Sequence, residues 1–80
     1  MSRLEIETVI RAVLVGSLGP SVAAEPAPSR EGVAAWDSLK HMEIVFAVED
    51  ALDVRFADGD LARLTSLDAL VGHAEALRAA

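Results

Sequence analysis

The chain has 80 residues, no cysteine and a formal net charge of −6 at pH 7, and 52% of its residues are apolar. A chain of this length forms one small domain with a modest core, which excludes a deep enclosed active site. Without cysteine it can form neither a disulfide nor a thiolate ligand set. Its apolar runs are far shorter than the roughly 20 residues of a membrane span, so no membrane insertion is expected.

The first ten residues, MSRLEIETVI, contain two acids and no long apolar segment after a basic one. They therefore do not resemble a signal peptide, and a cytoplasmic location is the expectation. The acidic charge is concentrated in residues 37–60, which hold seven of the 13 acids but only Lys40 and Arg55 as cations. Such a segment repels nucleic acid and attracts partners with a basic surface. On charge alone, a solvated helix face that is kept charged for solubility is the favoured explanation.

The first predicted helix begins with a capping box. Ser2 is followed three residues later by Glu5, a spacing at which each side chain can bond the other's backbone N–H. Apolar residues then recur at helical spacing, at Ile6, Val9, Ile10 and Val13. These signals predict a helix from about Arg3 to Gly16 or Ser17. Residues 19–36 contain all three prolines, so a long irregular loop should follow, with Trp36 packed over the core at its end.

The second predicted helix has Asp37 as its N-cap and runs from Ser38 to Leu52 or Asp53. Its expected core face consists of Ile44, Val45, Val48, Ala51 and Leu52. A second apolar stripe, interleaved with carboxylates, contains Leu39, Met42, Phe46, Glu43, Glu49, Asp50 and Asp53. This stripe suits a partner with a shallow apolar groove rimmed by basic residues. Alternatively, its three apolar residues widen the core.

Two further helical segments are expected after Gly59. A short one should run from about Asp60 through Leu64, and a last one should follow a capping box made by Thr65 and Asp68. The core face of the last helix is predicted to hold Leu67, Leu70, Val71, Ala74 and Leu77. No segment alternates like a strand. The sequence thus predicts an all-α domain over residues 1–80, a four-helix bundle with three longer helices and one short helix.

Ser38 is the residue with the most distinctive chemistry. Asp37, Ser38 and His41 look like the parts of a catalytic triad, but Asp37 is used as a cap and no oxyanion hole is evident, so a hydrolase is not expected. His41 and His73 lack further ligands at metal-binding spacing, so no metal site is predicted and both are expected to be surface histidines. An exposed serine at a helix N-terminus is nevertheless a favourable place for an attached phosphodiester.

The segment WDSLKHMEIVFAVEDALDVRF, residues 36–56, resembles the Asp-Ser-Leu motif and the acidic, apolar second helix of the acyl carrier protein family. LARLTSLDALVGHAEAL, residues 61–77, is similar to the short third helix and the fourth helix of that family. The resemblance implies that a phosphopantetheinyl transferase attaches the 4′-phosphopantetheine arm of coenzyme A to Ser38 in a magnesium-dependent reaction. The thiol of the arm would carry acyl groups as thioesters. It also implies a non-catalytic monomer.

The resemblance further implies roles for residues around Ser38. Asp37 would help to engage the transferase, and the second helix would dock partner enzymes through Leu39, Met42, Glu43, Phe46, Glu49 and Asp50. The partners would be acyl-activating, acyl-transferring or ketosynthase-type enzymes of fatty acid, polyketide or another specialised acyl metabolism. Trp36 and Lys40 depart from the common pattern of the family and favour a dedicated pathway carrier.

Two alternatives remain open from the sequence. One is an unmodified acidic helical adaptor that binds partners through the second helix. The other is a peptidyl or aminoacyl carrier, although such carriers usually have a double glycine where this chain has Ala34, Ala35 and Trp36.

Overall fold

The computed structural model describes residues 1–79, which form three α-helices and two short 3-10 helices. The elements in chain order are α1 at Arg3–Leu18, a first 3-10 helix at Pro20–Ala24, α2 at Ser38–Leu52, a second 3-10 helix at Asp58–Arg63, and α3 at Leu67–Ala79. No β-strand occurs in this part of the chain, so the all-α prediction is confirmed. None of the helices within residues 1–79 is long and apolar enough to cross a membrane.

The predicted capping box of α1 is present. The Glu5 backbone N–H donates to Ser2 Oγ at 3.2 Å, and the Ser2 N–H donates to the Glu5 carboxylate at 3.0 Å. The hydrogen bond from the Ser2 backbone N–H lowers the pKa of the Glu5 carboxyl, because it favours the charged form. The helix ends at Leu18 and is followed by the C-cap Gly19, whose φ of 104° is a conformation that residues with a side chain rarely adopt.

The core lies between α1 and the other two α-helices, because α2 and α3 both pack against α1. Its fully buried side chains include Ile6, Ile10 and Leu14 from α1, Ile44, Val45, Val48 and Leu52 from α2, and Leu67, Leu70, Val71 and Ala74 from α3. Each of these side chains had the helical spacing from which burial was predicted, except Leu14. The loop contributes Val22 and Trp36 to the same cluster.

The buried face of α2 is rotated slightly from the predicted one. His41 is buried, with 5% of its surface exposed, whereas Ala51 is exposed. The predictions of a surface His41 and a core Ala51 were therefore wrong. At about 100° per residue, His41, Val48 and Leu52 lie at the centre of the buried arc, and Ala51 lies at its edge.

The burial of His41 is tolerated because both of its ring nitrogens have hydrogen-bond partners, so neither polar atom is left unpaired in the core. The Trp36 indole Nε1–H donates to His41 Nδ1 at 3.1 Å, and the two rings stack with centroids 6.1 Å apart. The proton of a neutral imidazole must then reside on Nε2, which lies 2.8 Å from the Leu61 carbonyl oxygen and donates to it. His41 thereby connects the first turns of α2 to the end of the loop and to the second 3-10 helix.

His73 also differs from the expected surface histidine, since it is half-buried. Its Nε2 lies 3.3 Å from a carboxylate oxygen of Asp60, and its ring packs against Phe56. The same Asp60 carboxylate pairs with Arg63. His73 therefore helps to fasten the second 3-10 helix to α3.

The segment between α1 and α2 is anchored first by Arg11. Its Nη1 donates to the Glu25 carbonyl oxygen at 2.9 Å, and its Nη2 donates to that of Pro26 at 2.6 Å. The segment was predicted to be irregular throughout, but it begins with the five-residue 3-10 helix Pro20–Ala24, from which Val22 is buried in the core. The loop is therefore held against α1 for the first half of its length.

A short backbone pairing anchors the second half of the loop to the start of α3. The Leu67 N–H donates to the Pro28 carbonyl oxygen at 2.9 Å, and the Arg30 N–H donates to that of Thr65 at 2.8 Å, around an isolated antiparallel bridge between Ser29 and Ser66.

This pairing corrects the predicted start of the last helix. The chain stays extended through Ser66, whose Oγ accepts from the Ala69 N–H at 3.0 Å and caps α3. The capping box expected at Thr65 and Asp68 was therefore one residue too early.

Removing both members of the Trp36–His41 pair should destabilise the protein by less than the sum of the two single removals. Trp36→Phe leaves His41 Nδ1 without a donor, and His41→Phe leaves the indole N–H without an acceptor, at about 1–3 kcal/mol each. The double variant buries neither group, so its loss of unfolding free energy should be smaller than the sum of the single losses. Urea denaturation of the four proteins measures this, and additive losses would show that the hydrogen bond contributes nothing.

Candidate functional site

Ser38 is the first residue of α2 and is exposed. The preceding Asp37 is the N-cap, as predicted, and its Oδ1 accepts from the Lys40 N–H at 2.9 Å. The Asp37 carbonyl oxygen accepts from the His41 N–H at 2.8 Å and so begins the helical hydrogen-bond ladder. The Ser38 hydroxyl is therefore held at the positive end of the helix dipole on a well-capped first turn.

Arg30 reaches Ser38 from the loop, a contact that the sequence did not reveal. Its Nη2 donates to Ser38 Oγ at 2.9 Å. No periodicity relates two residues that are separated by eight positions across an irregular loop, so nothing in the sequence pointed to the pair. The contact depends on the pairing of residues 28–30 with residues 65–67, which brings the loop back beside the head of α2.

Asp37, Ser38 and His41 are close in sequence but do not form a catalytic triad. Both ring nitrogens of His41 are already bonded, one by Trp36 and the other to the carbonyl of Leu61. The Asp37 carboxylate caps the backbone of α2 and does not orient the imidazole. His41 therefore offers no free base to the Ser38 hydroxyl.

The second apolar stripe of α2 lies on the side opposite the core. Leu39 and Phe46 are 70% and 59% exposed, so they do not widen the core. Met42 is half-buried, so its exposure lies between that expected of a core side chain and that expected of a partner contact. Large apolar side chains with this degree of exposure on one face are typical of a contact surface.

The three carboxylates of this face that are predicted to contact partners have different surroundings. Glu43 is exposed and lies 3.3 Å from the Lys40 ammonium group, while Asp50 is exposed. Glu49 is half-buried, and its carboxylate accepts from the Phe56 N–H at 2.7 Å. This bond closes the turn after α2, where Asp53 adopts a left-handed φ of 52°. Glu49 therefore serves the fold, whereas Glu43 and Asp50 are accessible to a partner.

A shallow groove at the far end of α2 brings together some of the predicted contact residues. It is lined by Phe46, Glu49, Asp50, Asp53, Val54 and Arg55. Leu39, Met42 and Glu43 lie one or more turns closer to Ser38 along the same helix. The exposed stripe thus runs from the Ser38 end of the helix to this groove.

Comparison of the chain with models of known protein families, with curated proteins and with solved structures found no match. The surroundings of Ser38 combine an exposed hydroxyl, the Arg30 guanidinium and a helix N-terminus, which together suit a phosphate ester.

The capping role of Asp37 predicts a specific difference between two substitutions. Asp37→Ala removes the acceptor of the Lys40 N–H and should lower the unfolding free energy by about 1 kcal/mol. Asp37→Asn retains an acceptor oxygen, and asparagine is an equally good N-cap, so it should cost less than half as much. Urea denaturation followed by far-ultraviolet circular dichroism measures both. Equal losses in the two variants would contradict the capping role.

Proposed function

We propose that the chain is an acyl carrier protein of the four-helix-bundle type, and that Ser38 carries a 4′-phosphopantetheine arm. The observation that supports this most strongly is the exposed Ser38 hydroxyl, which follows the capping Asp37 and precedes the exposed Leu39 at the head of α2. The proposal explains why a hydroxyl with no adjacent base lies beside a guanidinium. It also explains why the same helix presents an apolar and acidic face away from the core.

The residues around Ser38 fit the phosphodiester of such an arm. The side chain is accessible to a large transferase, and the Arg30 guanidinium is within hydrogen-bond distance of the oxygen that would become esterified. The positive end of the α2 dipole favours the added negative charge. The Asp37 carboxylate opposes it, but that carboxylate is directed to the Lys40 N–H.

Attachment would be carried out by a phosphopantetheinyl transferase with magnesium. Ser38 Oγ forms a bond to the phosphorus that bears the pantetheine, the diphosphate bond of coenzyme A breaks, and adenosine bisphosphate leaves. The hydroxyl proton passes to a base of the transferase, since His41 has no free nitrogen. When bound, the arm supplies a thiol on which acyl groups are carried as thioesters.

The exposed face of α2 is proposed to bind the transferase and the enzymes that load or use the acyl group. Leu39 and Phe46, with the partly exposed Met42, supply the apolar contacts. Glu43 and Asp50 add negative charge at its edges, which complements a basic partner surface. The proposed carrier is a non-catalytic, cytoplasmic monomer that serves fatty acid, polyketide or another specialised acyl pathway.

Incubation with coenzyme A, magnesium and a broad-specificity transferase should increase the mass of the protein by one phosphopantetheine group. Ser38→Ala should stay at the unmodified mass, because it lacks the accepting oxygen. Ser21→Ala is a matched control, since Ser21 is also exposed and should not affect the reaction. Intact-protein mass spectrometry measures all three.

If the wild-type chain stays unmodified under conditions that load other carriers, the carrier proposal fails. An unmodified helical adaptor would then be the better account of the exposed α2 face. Modification of Ser38→Ala would instead show that another residue accepts the arm.

Reversing the charges of Glu43 and Asp50 should slow modification by the transferase. In low salt, Glu43→Lys with Asp50→Lys should lower kcat/KM roughly tenfold, which corresponds to about 1.4 kcal/mol. The rate should also lose much of its dependence on salt, because screening acts on the attraction that has been removed. Glu49 is unsuitable for this test because it bonds the Phe56 backbone.

A charge reversal outside α2 provides the control. Glu25→Lys changes the net charge by the same amount per residue, and the Glu25 side chain is exposed in the loop. It should alter the rate far less than the α2 reversals. Equal rates for the α2 double variant and wild type in low salt would exclude this face as the docking surface.

A further inference from the structure

The backbone of Arg30 is fixed independently of its side chain. Its N–H donates to the Thr65 carbonyl oxygen at 2.8 Å, and two residues earlier Pro28 accepts from the Leu67 N–H at 2.9 Å. The Ser29–Ser66 bridge lies between these bonds. Truncation of the arginine side chain would leave this backbone pairing intact. The guanidinium therefore projects from an anchored position.

The positive charge of the Arg30 guanidinium is not paired with a carboxylate within residues 1–79, so it can attract an anionic ligand. Within residues 1–79 no ion pair involves Arg30, whereas Arg3, Arg11 and Arg63 each pair with a carboxylate. Its Nη2 donates to a neutral oxygen, that of the Ser38 hydroxyl. A guanidinium has five N–H donors in a planar arrangement, so one bond to a hydroxyl leaves most of them free to bind an anion.

We propose that Arg30 is a positioning residue for the phosphodiester at Ser38, an inference that rests on the proposed carrier function. Esterification removes the hydroxyl proton and places two phosphate oxygens, which share one negative charge, next to the atom that Arg30 already contacts. A charge-assisted bond from guanidinium to phosphate is stronger than the bond to a neutral hydroxyl. Arg30 therefore transfers its donors to the phosphate. The attached end of the arm is thereby held beside the pairing of the loop with α3.

This contact makes the arm part of the folded structure. A phosphate bonded to Arg30 connects the first turn of α2 to the loop segment that pairs with residues 65–67. In the unloaded protein the same connection is made only by the weaker hydrogen bond from Arg30 to the Ser38 hydroxyl. Interactions made only in the folded state raise the unfolding temperature. A partner enzyme that takes up the arm must compete with Arg30 for the phosphate.

The test compares unmodified and phosphopantetheinylated forms of wild type, Arg30→Ala, Arg30→Lys and Arg55→Ala. Arg55 is the matched control for the phosphorus resonance and the unfolding temperature, because it is exposed, is in no ion pair within residues 1–79, and lies beyond the other end of α2, about 20 Å from Ser38. It lines the groove at that end, so its rate of loading is not compared. Mass spectrometry first establishes loading. Phosphorus-31 NMR then reports the surroundings of the phosphodiester, and thermal unfolding reports the stabilisation that loading brings.

In the loaded wild type and Arg55→Ala, the phosphorus resonance should differ from its position in urea, and loading should raise the unfolding temperature. In Arg30→Ala the resonance should move towards the urea position and the gain in unfolding temperature should fall, with Arg30→Lys intermediate. Identical resonances and gains in wild type and Arg30→Ala would overturn the inference while leaving the carrier function intact. Failure of wild type to load would overturn both.

Discussion

The placement of Ser38 depends on one buried contact, the hydrogen bond from the Trp36 indole to His41. Trp36 is 2% exposed and immediately precedes the cap of α2, so its insertion into the core determines where the loop ends and the helix begins. His41 extends this connection to the second 3-10 helix through the Leu61 carbonyl. Because the serine lies between the tryptophan and the histidine in sequence, their pairing sets its position while leaving its side chain in solvent.

The two opposite sides of α2 have different surroundings. One side buries aliphatic side chains against α1, and the other exposes Leu39 and Phe46 among carboxylates. Apolar side chains that stay exposed in this way contribute little to the stability of the isolated chain. In the proposed function, the same helix that presents the serine also presents the contacts that bring enzymes to it. Arg30 contacts Ser38 from outside the helix, because its guanidinium extends from the anchored loop and donates to the Ser38 hydroxyl.

The three α-helices could be predicted because their apolar spacing and the caps of α1 and α2 are local signals. The cap of α3 was placed one residue too early, because the start of that helix depends on backbone pairing with the distant loop. The loop could not, since its conformation depends on distant contacts such as those of Arg11 with the Glu25 and Pro26 carbonyls. His41 was misassigned because a polar residue was placed at the surface by type. Its spacing of three and four residues from Ile44 and Val45 was the signal that could have found it. The exposure of Ser38 and the capping role of Asp37 were predicted from sequence, whereas the contact with Arg30 required the folded chain.

The proposed function requires that Ser38 bears a phosphopantetheine arm in the cell. Tandem mass spectrometry of this protein, isolated from the cells that produce it and fragmented to locate any added group on the chain, tests this. The peptide that contains Ser38 should carry a phosphopantetheine group, with or without an acyl group on its thiol. Protein that is wholly unmodified at Ser38, recovered while its partner enzymes are active, would show that the chain is not a carrier.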